Sequence, residues 1–154
     1  MNFLQMVIFS LDQGEYGIDI SCVQEIIRIP ERITKIPNVP SYINGMFNLR
    51  GKVIYAIDLK ERFQLDHAER GADSRLLILK LEELMVGVIV DDVSDVLRVS
   101  EELIENLSSE IGSIGDNSVK GICKTGDRLI LVLDEKRFKS DIFQSIENDM
   151  EEKV

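Results

Sequence analysis

The chain has 154 residues, of which 44% are hydrophobic and 30% charged, and its formal net charge at pH 7 is -10. These proportions are typical of a soluble globular protein with one domain or two small ones. The excess of acid argues against a general nucleic-acid or anionic-membrane binder, and no apolar run is long enough to span a bilayer.

The first part of the chain predicts four short β-strands, indicated by β-prone apolar residues or by alternation of apolar and polar residues. They lie at residues 3–11, 15–20, 43–49 and 52–57. We expect a helical turn and a short strand within 21–29. All three prolines lie between 30 and 42, where they interrupt regular structure. A short helix is expected at 59–63.

A polar segment at 67–74 is expected to link this part to the next. Further strands are predicted at 75–81, 85–90 and 128–133. Residues 100–118 are polar, with a possible short helix at 101–107. Apolar residues in 136–154 have the spacing of a helix: Phe138, Ile142, Phe143 and Ile146.

Residues 7–29 repeat without a gap in residues 77–99. Five aligned pairs are identical: Ile8 and Ile78, Leu11 and Leu81, Gly17 and Gly87, Val23 and Val93, Arg28 and Arg98. Later positions also correspond, with Gly45 aligned to Gly121 and Asp58 to Asp134. The duplication predicts a mainly β protein of two small barrels with a functional groove between them. We expect one domain over 1–154, with halves at 11–66 plus the C-terminal segment and at 75–138.

One predicted strand of the second copy is apolar on both faces. Met85 and Ile89 align with Glu15 and Asp19 of the first copy, which are acidic. A strand that is apolar on both faces is usually covered on both. We therefore expect Met85 and Ile89 to lie against the other barrel or to form an exposed apolar patch.

The sequence lacks the convergent reactive groups that an enzyme needs. The single histidine, His67, lies in the polar linker, and Cys22 and Cys123 form neither a disulfide framework nor a metal motif. No Gly-rich phosphate loop is present. We interpret Asp91 and Asp92 as helix-starting or solvated residues rather than metal ligands. We therefore expect no catalysis, no cofactor and no metal site.

One stretch differs from the acidic background. Between Arg28 and Lys52 there are five basic residues and one acidic residue. The stretch is either a solvated loop whose Lys and Arg side chains cover apolar surface or a docking surface, where arginine forks onto carboxylates. Arg50 favours the second interpretation, because it lies at a predicted hairpin tip between apolar strands.

Several ordered motifs resemble a known family. They are Glu15-Tyr16-Gly17-Ile18-Asp19-Ile20, Val23-Gln24-Glu25-Ile26, Ile36-Pro37-Asn38-Val39-Pro40, Ile43-Asn44-Gly45, Asn48-Leu49-Arg50-Gly51 and Asp58-Leu59, then Gly87 to Val93 and Gly121-Ile122. In this order, over nearly the whole chain, they resemble the CheW family, the coupling proteins of bacterial chemotaxis. Met46 and Phe47 depart from the pattern, since many relatives have smaller aliphatic residues there.

The resemblance implies two SH3-like five-stranded β-barrels packed around a shared core, with short helices and a C-terminal helix. It implies a non-enzymatic cytoplasmic adaptor, recruited to membrane-associated receptor arrays without inserting into the membrane. Its implied partners are the cytoplasmic tip of chemoreceptors and the regulatory domain of the histidine kinase CheA. The alternatives are a regulatory module of a kinase or response-regulator fusion and, from another class, a small-molecule-binding β-barrel.

The resemblance also assigns receptor binding to particular residues. They are Val23, Glu25, Ile26, Asn48, Leu49, Arg50 and Gly51. Glu25 and Arg50 are expected to contribute most. The residues that contact the kinase are left unassigned.

Overall fold

The computed structural model describes residues 2–65, 71–106 and 118–142. Within these ranges there are eleven strands: β1 Phe3–Leu11, β2 Gly14–Asp19, β3 Val23–Ile27, β4 Ile43–Leu49, β5 Lys52–Asp58, β6 Arg75–Leu81, β7 Leu84–Val90, β8 Asp92–Ser100, β9 Ile104–Asn106, β10 Val119–Thr125 and β11 Arg128–Leu133. Helix α1 is Leu59–Arg62, and the described part of α2 is 135–142. His67, linker residues 67–70 and the predicted helical residues 143–154 lie outside the described residues.

The strands form two sheets. Sheet A has the order β8-β1-β2-β11-β10-β9, and sheet B has the order β3-β6-β7-β5-β4. Each sheet therefore contains a hairpin from the other half of the sequence: β1–β2 joins sheet A, and β6–β7 joins sheet B. The halves expected at 11–66 and 75–138 each contribute to both sheets, because the chain crosses over after each hairpin.

The mainly β fold with two sheets and a C-terminal helix is confirmed, and we call the two curled sheets barrel A and barrel B. Sheet B has the expected five strands, whereas sheet A has six, because β9 adds to β10. At the equivalent place in barrel B there is only a single bridge between Thr34 and Met46.

The internal repeat is visible in the hydrogen-bond register. Ile8 pairs with Gly17 in the first hairpin, and Ile78 pairs with Gly87 in the second. The next strand of each copy bulges at the same aligned position, Gln24 in β3 and Ser94 in β8. The equivalence of 7–29 and 77–99 is thus confirmed, except that a 3-10 turn at Ile20–Cys22 has no counterpart at Val90.

Three apolar clusters stabilise this arrangement. One lies inside barrel A: Met6, Ile8, Val99, Cys123, Ile130 and Val132. One lies inside barrel B: Phe47, Ile54, Ala56, Leu76, Ile78 and Ile89. The largest lies between the barrels and includes residues of both hairpins and of α2, among them Phe9, Ile18, Leu77, Val88 and Phe138.

Strand β7 is covered on both faces, as expected, but not in the way expected for Met85 and Ile89. Val86 and Val88 face the shared cluster between the barrels. Ile89 is buried in the cluster of barrel B, and Met85 packs against the same cluster. Met85 and Ile89 are therefore covered by residues inside their own barrel rather than by the other barrel.

Three further expectations differ from the structure. The possible helix at 101–107 is a 3-10 turn, Glu101–Leu103, followed by β9. Strands β8 and β10 were not among the strands predicted individually. Asp92 is exposed at the start of β8, but Asp91 is neither helix-starting nor fully solvated, because its carboxylate pairs with the buried side chain of Lys60.

No helix among the described residues is long and apolar enough to cross a membrane.

Candidate docking site

The arginine at the β4–β5 turn meets the acidic residue of β3. Arg50 Nη2 donates a hydrogen bond to Glu25 Oε2 over 2.5 Å. Strands β3 and β4 are the two edges of sheet B, so this contact is possible only because the sheet curls. The ion pair therefore marks the place where barrel B closes.

Arg50 is held outward by an unusual turn. Its backbone φ is 49°, in the left-handed region that favours glycine and costs other residues ~1 kcal/mol. Gly51 follows with φ 86°, and its N–H donates to Asn48 Oδ1 over 2.8 Å. The Arg50 side chain is 71% exposed. The turn thus places a guanidinium in solvent at a backbone conformation that a glycine would adopt more readily.

Glu25 is less exposed than its partner and only partly satisfied. Its side chain is 27% exposed. Oε2 accepts from Arg50, while Oε1 is buried and has no hydrogen-bond partner among the described residues. Leaving a buried acceptor unpaired is unfavourable. Glu25 therefore keeps one acceptor oxygen that takes no part in the ion pair.

The other five predicted residues surround this pair. Val23 packs against the shared cluster, and Leu49 packs against the cluster of barrel B. Ile26 lies on the opposite face of β3 from Glu25 and is 44% exposed. Asn48 holds the turn, and a Cβ on Gly51 would meet nothing within 4 Å. The seven residues thus form one rim of barrel B that borders the joint between the barrels.

The basic stretch found in the sequence extends this rim. Its remaining cations are exposed, and in the described part of the chain none of them forms an ion pair: Arg28, Arg32, Lys35 and Lys52. In a chain with 28 acidic residues, unpaired cations are available to an acidic partner. The electrostatics favour the docking interpretation over simple cover of apolar surface.

Barrel A has a related polar cluster that the sequence reasoning missed. Arg128 donates two hydrogen bonds to Glu15 and two to Asp95, over 2.9 to 3.1 Å. The Arg128 hydrogen bond holds the pKa of Asp95 below its usual range, and the two carboxylates raise the pKa of Arg128. Asp95 aligns with Glu25 in the repeat, so the paired acids were a signal for this cluster.

Comparison with known proteins decides the family. The CheW-like domain profile matches residues 5–142. The chain belongs to the CheW family. The chemotaxis protein CheW of Treponema pallidum is 35% identical over 149 residues, covering 94% of this chain and 87% of that protein. CheW of Bacillus subtilis is 34% identical over 130 residues, covering 84% and 83%.

A solved CheW structure agrees in fold. The crystal structure of the scaffolding protein TtCheW from Thermoanaerobacter tengcongensis matches with a TM-score of 0.79 and 38% identity, covering 87% of this chain and 86% of that one. The chain is thus a chemotaxis coupling adaptor of the CheW scaffold family. In the described residues, no group of three or more His, Cys, Asp or Glu side chains could hold a metal ion.

Proposed function

We propose that this adaptor works in the cytoplasm by bridging the cytoplasmic tip of a chemoreceptor to the regulatory domain of the histidine kinase CheA, without catalysing a reaction itself. The observation that carries the proposal is the Arg50–Glu25 pair on the rim of barrel B. It combines an exposed guanidinium, a strained turn and an unsatisfied carboxylate oxygen, and such features concentrate at functional sites.

Receptor tips in this family are antiparallel helical hairpins, and a helix docks on such a rim through apolar anchors with a polar margin. Ile26 is exposed and would serve as one apolar anchor, and Val23 and Leu49 lie at the base of the rim. Arg50 uses one N–H for Glu25, and its other donors are available to carboxylates or carbonyls of the receptor. Receptor binding is therefore proposed for all seven residues of the rim.

A bridge needs a second surface for the kinase, and we place it on the end of barrel A. A groove of about 590 Å³ is lined there by Phe3, Ile20 and Arg98, among others. Phe3 and Ile20 are exposed, and the Arg98 guanidinium lies 4.3 Å from the centre of the Phe3 ring. Exposed aromatic and arginine side chains are typical interface anchors.

Competition binding tests the bridging proposal. A receptor-tip fragment is added at saturation to a preformed complex of this protein with the CheA regulatory domain. We expect a ternary complex, because the two partners use different barrels. Clean displacement of the kinase domain by the receptor fragment would show that the surfaces overlap and would refute the bridging mechanism.

A further inference from the structure

An ion pair with a buried lysine and a half-buried aspartate connects elements of the two barrels. Lys60 Nζ on α1 lies 2.8 Å from Asp91 Oδ1, and the Lys60 side chain is only 7% exposed. Asp91 lies where the chain leaves β7 of barrel B and enters β8 of barrel A. Its second oxygen, Oδ2, accepts from the N–H of Asp12 over 2.7 Å. One carboxylate thus joins a helix that follows barrel B to the β1–β2 turn of barrel A.

The backbone reinforces this link. The N–H of Asp91 donates to the carbonyl oxygen of Ser10 over 3.0 Å, at the end of β1. Asp91 therefore contacts the first hairpin twice and α1 once. A residue at the crossover between two barrels, held from both sides, is well placed to fix the angle between them.

The repeat reproduces this link only in part on the other side. The position aligned with Asp91 is Ser21, whose N–H bonds to the Asp19 side chain within the same barrel. The lysine aligned with Lys60 is Lys136, which is exposed. On that side α2 reaches the opposite hairpin through Lys139 and Glu82, a pair in which Glu82 is largely exposed. Both crossovers thus carry a lysine from a helix to the opposite hairpin, but only the Lys60–Asp91 pair has a buried lysine and a second hydrogen bond to that hairpin.

We propose that the Lys60–Asp91–Asp12 link is a positioning element of the adaptor, which fixes the orientation of barrel A relative to barrel B and so the relative placement of the receptor and kinase surfaces. The inference rests on the bridging function proposed above. Buried ion pairs are often no more stabilising than apolar side chains of similar size. A role in geometry gives a reason for a lysine and an aspartate at a place where apolar side chains often stabilise a protein as well.

The test uses the full chain with Lys60→Met and Asp91→Asn combined. The double variant avoids an unpaired buried charge, and asparagine keeps an oxygen acceptor for the Asp12 N–H. Spin labels at Glu83→Cys in the β6–β7 turn and Asp127→Cys in the β10–β11 turn report the distance between the barrels. Lys124→Met is the matched control, because it removes an exposed ion pair with Glu105 inside barrel A alone.

We expect one narrow distance distribution for the wild type and for Lys124→Met, and a broadened or shifted one for the double variant. Affinities for the isolated receptor fragment and kinase domain stay within about twofold of wild type, because Lys60, Asp91 and Asp12 belong to neither proposed surface. Receptor-dependent stimulation of the kinase in the reconstituted three-component system falls by about fivefold or more, the scale of typical coupling between sites.

The outcomes separate this inference from the proposed function. If the wild type binds neither partner, the bridging function fails, while the distance measurement still tests the link. If the wild type couples receptor to kinase and the double variant matches it in both distance distribution and stimulation, the positioning role is overturned. A loss of both binary affinities in a folded double variant also overturns it, because the link would then support each surface rather than their relative placement.

Discussion

Barrel A and barrel B each contain an arginine that pairs with acidic residues, and the acids Glu25 and Asp95 are aligned in the repeat. In barrel A, Arg128 satisfies two carboxylates with four hydrogen bonds. In barrel B, Arg50 makes one hydrogen bond to Glu25 and leaves a carboxylate oxygen buried without a partner among the described residues. Arg128 uses its donors within its own barrel, whereas Arg50 keeps donors that the proposed receptor contact can use.

The β4–β5 turn of barrel B and the β10–β11 turn of barrel A differ in backbone strain. Arg50 aligns with Gly126, and the two residues have nearly the same backbone conformation, φ 49° and 59°. Barrel A uses glycine, which adopts this conformation without strain. Barrel B uses arginine at an energetic cost. The comparison teaches that duplication supplied one architecture, and that local strain distinguishes the copy for which we propose receptor docking.

The largest loss of stability is expected at a feature that both barrels share, a glycine against a crossing backbone segment. A Cβ on Gly45 would lie 2.4 Å from the Thr34 carbonyl oxygen, and one on Gly121 would lie 2.7 Å from that of Glu105. Gly45→Ala and Gly121→Ala should each lower the free energy of unfolding by about 3 kcal/mol, because crossing backbone has to move. Urea denaturation measures this. Gly71→Ala is the control, since a Cβ added there would meet nothing within 4 Å. A similar loss of unfolding free energy in this variant would contradict the explanation.

The two barrels should differ in their contribution to receptor binding. Arg50→Ala should weaken binding of a receptor-tip fragment by about 2 kcal/mol if Arg50 is a hot spot. Arg128→Ala removes an arginine from barrel A and should leave this affinity unchanged. Calorimetric titration of both variants gives the comparison. If both variants lose the same affinity, the receptor does not distinguish the barrels. If Arg50→Ala binds as tightly as the wild type, Arg50 is a solvated turn residue.

The Arg128 cluster should make barrel A sensitive to acid. The Arg128 hydrogen bond lowers the pKa of Asp95, so its stabilising contribution is present above the unfolded-state pKa, about 4, and is lost as pH falls through the folded-state pKa. Arg128→Ala should lower the free energy of unfolding by about 1 kcal/mol at neutral pH, because the pairs are partly exposed. Urea denaturation near pH 7 and near pH 3 should show this difference shrinking in acid. A difference independent of pH would contradict the assignment to Asp95.

The sequence was sufficient for the repeat, most strands and the fold family, because these depend on local periodicity and on aligned residues such as Gly17 and Gly87. The exchange of hairpins was not predictable, since periodicity indicates a strand but not the sheet it joins. Strand β10 was missed because Lys120 and Lys124 weaken its apolar pattern. The Asp91 link and the Arg128 cluster were missed because their partners are distant along the chain and come together only through the crossovers.

The smallest expected change in unfolding free energy separates the strain of the β4–β5 turn at Arg50 from the Arg50–Glu25 ion pair. Arg50→Gly alone relieves the strained φ but leaves the half-buried Glu25 carboxylate without its donor, so the two effects offset each other. In a Glu25→Gln background the charge is absent, and Arg50→Gly should then raise the free energy of unfolding by about 0.5 kcal/mol. The matched change in barrel A, Gly126→Ala, imposes strain and should lower it by about 1 kcal/mol. Urea denaturation of these variants and their parents resolves the signs. If Arg50→Gly is destabilising even in the Glu25→Gln background, the arginine stabilises its own barrel by contacts other than the ion pair, and the contrast between a docking turn and a structural turn would have to be abandoned.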